Sequence, residues 1–143
     1  PERLSLILLS GSFERVHYGL AMASAAAALA RPVTLFATLG ATRAFLASDP
    51  DGRPGWAALP LGPDSIGPDL ADGFALDARN RARGVAGFEE LLQACIGLGV
   101  EIFVCEMGLR AQGFDAVGLR PDLPIQRAGL ATLLARPGQL VIL

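Results

Sequence analysis

The chain has 143 residues, 52% of them hydrophobic and 18% charged, with a formal net charge of −2. At that length roughly 70% of the unfolded surface is buried on folding, so one domain around one core is expected. So apolar a composition excludes a disordered segment, and twelve basic residues with no dense run leave no electrostatic footprint for nucleic acid.

Residues 4–9 form a nearly continuous apolar run that stops at Ser10-Gly11-Ser12, the pattern of a parallel strand covered on both faces. The run is too short for a secretory signal or a membrane span, and so is the alanine-rich stretch 20–30, which predicts a chain without a membrane span and a cytoplasmic setting. Residues 13–30 read as a long first helix, capped by Ser12 and ended before Pro32. Residues 33–38 are β-branched and apolar and lead through Gly40 into a short helical stretch at 41–47, so the opening half reads as a βαβ unit.

From 48 to 73 the composition changes to a Pro/Gly-rich insertion in which regular structure is not expected, although Trp56 suggests docking. Asp77, Arg79, Arg81 and Arg83 read as a solvated charged run. Phe88, Leu91, Leu92, Cys95 and Ile96 then recur on one helical face, with Gly99 placed to end it. Strands follow at 100–104, 123–127 and 139–143, with a helix at 129–135 stopped by Pro137-Gly138. The sum is a three-layer α/β/α domain with an open, mainly parallel sheet of about five strands.

Ligands of open α/β sheets gather beyond the carboxyl ends of the strands. Three loops occupy that position: one with Ser10, Gly11 and Ser12, one with Thr38 and Gly40, and one with Cys105, Met107 and Gly108. Cys105 ends a buried strand just before a helical turn, where unpaired amides stabilise a thiolate, the reactive form of the group. Lowering a thiol pKa by about two units needs roughly 2.7 kcal/mol of preferential thiolate stabilisation, which helix-start amides and a cation such as Arg15, His17 or Arg110 would supply. Glu106 opposes this if it points inward. The local sequence leaves an inert buried cysteine and a reactive one both open, and a single helical histidine reads as a packed or surface group. With two cysteines and one histidine, neither a disulfide framework nor a zinc set is expected.

The opening strand closing on Ser10-Gly11-Ser12, the alanine-rich helix into Val33-Thr34-Leu35-Phe36, the strand ending Phe103-Val104-Cys105 and the segment Ala128-Gly129-Leu130-Ala131-Thr132 together resemble the DsrE/DsrF-like sulfur-relay family, including its larger peroxiredoxin-like branch. Cys105-Glu106-Met107 with the later Gly113 is the most specific part. Gly108 departs from the pattern, standing where the larger branch tends to have serine. The resemblance implies that Cys105 carries sulfane sulfur as a persulfide, that the chain is a sulfurtransferase-type relay without organic cofactor or metal, and that it assembles as a trimer or hexamer and meets a sulfur donor or acceptor protein. The alternative is a non-catalytic oligomeric binding or scaffold protein of the same fold.

Overall fold

The computed structural model describes residues 1–63 and 70–143. Its centre is a five-stranded sheet built from β1 (Leu4–Leu8), β2 (Val33–Ala37), β3 (Glu101–Cys105), β4 (Ile125–Ala128) and β5 (Gln139–Ile142). The spatial order is β4-β3-β2-β1-β5 and every pairing is parallel, with Leu6 opposite both Leu35 and Val141. The helices are α1 (Phe13–Ala28), α2 (Gly73–Ala82), α3 (Phe88–Gly97), α4 (Glu106–Ala111) and α5 (Leu130–Leu134).

Strand alternation divides the interior into two unequal cores. Leu4, Leu6 and Leu8 of β1, Leu35 of β2 and Val104 of β3 face α1 and α3 in the main core. Small side chains bring α1 close to the sheet: a methyl group on Gly19 would run into Leu8 Cδ2. Each fully buried leucine or phenylalanine contributes about 1.5–3 kcal/mol, which makes this face the chief source of stability. The opposite face carries Phe36, Phe103 and Cys105, with Ala128 of β4 beside Cys105 in the sheet and Leu133 of the five-residue helix α5 packed on them.

Helical turns end where the sequence supplies the residues to end them. Gly99, with a φ of 83°, follows α3, and Val100 N returns to Cys95 O. Ser12 precedes α1 but makes no side-chain cap; its N–H instead bonds Ser10 Oγ at 3.2 Å. The stretch expected as a helix at 41–47 is a 3-10 turn over Leu39–Phe45.

The charged run at 77–83 is the largest departure from expectation, because it lies within or just beyond α2. Asp72 caps that helix, its Oδ1 accepting from Ala75 N, and Asp77 is buried rather than solvated. Asp77 Oδ1 accepts from Phe88 N at 2.7 Å and its Oδ2 from Arg81 Nε at 3.0 Å. One carboxylate therefore joins α2 to the start of α3, and its charge is offset by a neighbouring guanidinium. Within 48–73, Gly55–Ala58 form a 3-10 turn, and Trp56 is buried against Phe88 with ring centroids 4.9 Å apart. Residues 64–69 of that stretch lie outside the described residues. Among the described residues no helix is long and apolar enough to cross a membrane.

Candidate functional site

The three loops at the carboxyl ends of β1, β2 and β3 touch backbone to backbone. A methyl group on Gly11 would fall 2.9 Å from the Gly40 carbonyl carbon, and one on Gly108 would fall 2.5 Å from Leu39 N and 2.6 Å from Thr38 Oγ1. Glycine at 108, the departure from the resembled pattern, is thus required by the approach of α4 to the β2 loop. Ser10 and Ser12 bond each other through their hydroxyls at 3.3 Å. Among the described residues, no hydrogen bond links either serine to Cys105.

Cys105 is the residue before α4, and its Sγ accepts the N–H of Gly108 at 3.3 Å. The sequence places the sulfur at a helix start, and it stands there with an amide directed at it. Its environment is otherwise hydrocarbon: the residue is 0% exposed and packs with Phe36, Phe103, Ala128 and Leu133, with Ile7 at the edge. Met107, two residues on, is exposed, and Glu106 also points outward, so its charge does not face the thiol.

The proposed cations lie elsewhere. His17 stacks on Phe13 and its Nε2 is 2.9 Å from Ala86 O, on the α1/α3 side, while Arg15 and Arg110 are exposed. Among the described residues, no hydrogen bond or ion pair joins any of the three to Cys105.

The second cysteine is the informative contrast. Cys95 is equally buried and its Sγ donates to Leu20 O at 3.4 Å; burial outweighs the lowering effect of the Ser24 backbone and pushes its thiol up to about 11. The two sulfurs thus differ in their resolved hydrogen bonds, Cys95 Sγ donating to a carbonyl and Cys105 Sγ accepting from the Gly108 amide.

The cover over Cys105 is short but fastened. Arg136, just beyond α5, donates from Nε to Glu101 Oε1 at 3.0 Å and from Nη2 to Oε2 at 3.2 Å, and its guanidinium lies 4.8 Å from the Phe103 ring centroid. Arg136 Nη1 also donates to Thr132 O within α5. Arg3 and Thr34 complete the partners of Glu101, whose carboxyl is held below its ordinary range, first by the Arg136 hydrogen bond. These residues carry no functional signal in the sequence, since an arginine after a helix and a glutamate at a strand start are common surface features. Among the described residues no cluster of metal-ligating side chains occurs.

No family model and no curated protein matches the chain. Among solved structures, the ychN protein from E. coli matches over 100% of both chains, with a TM-score of 0.62 and 11% sequence identity. The likeness is one of fold. The chain thus shares the α/β architecture of ychN, with Cys105 at the carboxyl end of β3.

Proposed function

We propose that the chain is a sulfur carrier that holds sulfane sulfur as a persulfide on Cys105. The observation that carries the reading is the Gly108 N–H directed at Cys105 Sγ, at the carboxyl end of β3 where α4 begins. The sequence resemblance to DsrE-like proteins and the fold shared with ychN support it. In this reading the Cys105 thiolate attacks the outer sulfur of a donor persulfide, R–S–SH. A bond forms between Cys105 Sγ and that sulfur, the donor's S–S bond breaks, and the electron pair leaves on the donor as a thiolate. No net oxidation occurs and no metal or organic cofactor enters. Transfer onward is the same exchange, with an acceptor thiolate attacking the outer sulfur and Cys105 leaving as thiolate.

Because the sulfur is buried, loading requires α5 to move away from Phe103 and Cys105. A donor or acceptor protein is the expected agent, and a trimer or hexamer the expected assembly. A scaffold role without chemistry is the second reading, favoured by the full burial of Cys105 and by the exposure of Leu130, Leu134, Leu140 and Ile142. Exposure to a small-molecule persulfide donor followed by intact-protein mass measurement separates the two. A relay gains one sulfur, loses the gain in Cys105→Ser and keeps it in Cys95→Ser; a scaffold gains none, and both of its thiols alkylate only on unfolding.

A further inference from the structure

Away from Cys105, two clefts share a wall. One, of about 390 Å³, is faced mainly by Leu46, Ala47, Pro54, Phe114 and Val117. The other, of about 290 Å³, is faced by Gly11, Gly40, Pro60 and Gln112. The second lies beyond the carboxyl ends of β1 and β2, the region where open α/β sheets take their ligands. Arg43 and Ala58 belong to both.

Arg43 is exposed, with its guanidinium 5.3 Å from the Phe114 ring centroid. It forms no salt bridge among the described residues. Arg53, a second wall residue of the larger cleft, lies 4.2 Å from the Phe74 ring centroid. Among the described residues, the one carboxylate lining either cleft is Asp49, which is turned back on its own loop: Oδ1 accepts from the N–H groups of Asp51 and Arg53, each at 2.9 Å. A carbon-walled slot thus ends at a guanidinium without a counter-ion among the described residues, and beyond the guanidinium lies a smaller space bordered by glycine backbone and the Gln112 amide.

We propose that the two clefts form one binding site for a small amphipathic monocarboxylate, an aryl or short acyl acid. Its carboxylate pairs with Arg43, and its apolar end lies against Leu46, Phe114 and Val117. A guanidinium fork matches the two oxygens of a carboxylate, while the carbon walls disfavour a strongly hydrated polyanion such as phosphate. The site does not use Cys105, so its test and that of the sulfur-carrier reading succeed or fail separately.

The probe is phenylbutyrate, titrated into the full chain while backbone amide NMR shifts and the fluorescence of Trp56, the only tryptophan, are followed. Saturable shifts confined to the residues around the two clefts, Gly11, Gly40, 43–60 and 112–117, are expected. Arg43→Gln, an exposed position that leaves the fold intact, is expected to weaken binding about tenfold or more, which is ~1.4 kcal/mol. Ala58→Phe, also at an exposed position, fills the shared wall and is expected to abolish binding. The neutral analogue phenylbutanol is expected to bind the native protein more weakly than the acid, and equally with or without Arg43. Absence of saturable shifts, equal binding of acid and alcohol, indifference to both substitutions, or inorganic phosphate binding as tightly as phenylbutyrate would each overturn the proposal.

Discussion

Replacing Leu133 by alanine tests whether α5 is a cover that opens by itself. Leu133 is fully buried in the small core beside Cys105, yet the helix that carries it spans only Leu130–Leu134. Burying and then truncating a core leucine costs ~2–5 kcal/mol, and about 3 kcal/mol is expected here because so short a helix settles partly into the gap. The cost falls on the closed state alone if α5 swings out as a unit, which raises the open population roughly a hundredfold. The assay is the rate of iodoacetamide alkylation of Cys105 in the folded protein, resolved by peptide mass from that of Cys95. A control substitution, Leu92→Ala on α3, destabilises the closed and α5-open forms alike, because Leu92 belongs to the other core. The expected outcome is a Cys105 rate about a hundredfold higher in Leu133→Ala and unchanged in Leu92→Ala, while Leu92→Ala accelerates Cys95. If Leu92→Ala accelerates Cys105 as much as Leu133→Ala does, only global unfolding exposes the sulfur, and the reasoning about α5 fails.

Asp77→Ala leaves the buried Phe88 N–H without its acceptor and is expected to cost about 3 kcal/mol, seen as a lower urea midpoint at unchanged slope, with Asp77→Asn costing less because one oxygen remains. Gly108→Ala pushes a methyl group into Leu39 N and is expected to cost about 2–3 kcal/mol, a fall in Tm of very roughly 4–12 °C, whereas the same change at Gly97, where a methyl meets nothing within 4 Å, is expected to leave Tm within a degree or two or raise it slightly. The Glu101 carboxyl is depressed by Arg136, so its contribution is present above the ordinary glutamate range and lost as pH falls through the lowered value. Hydrogen exchange of the α5 amides, corrected for intrinsic rates, is therefore expected to lose protection on acidification in the native protein and to show little such dependence in Glu101→Gln.

The sheet was legible because its strands are short apolar runs bounded by Gly, Pro or Ser, a signal that survives without knowledge of partners. Leu4–Leu8 and Val33–Ala37 need only their own hydrophobicity to declare themselves. The helix α2 was not legible in the same way, because Leu76 and Asp77 share its buried side and a buried carboxylate reads as a solvent-facing one until its partners are known. The 3-10 turn at Leu39–Phe45 was read as helix because composition does not distinguish the two in so short a stretch.

At the candidate site, the helix start after Cys105 followed from the strand ending there. The distribution of charge did not: His17 and Arg15 are close to strand β1 in sequence, yet His17 packs against Phe13 and the Ala86 carbonyl. Nor was burial of the sulfur legible, since it depends on Leu133 and Arg136 returning from about thirty residues away.

The central claim, that the two cysteines differ chemically and that Cys105 is the sulfur carrier, is met most directly by peptide-level mass measurement of the folded protein after brief exposure to a limiting persulfide donor. One added sulfur on the peptide containing Cys105, none on that containing Cys95, and release of the adduct to a small acceptor thiol are the predicted results. Labelling of Cys95 instead, or of neither residue while Cys105 alkylates freely, would contradict it.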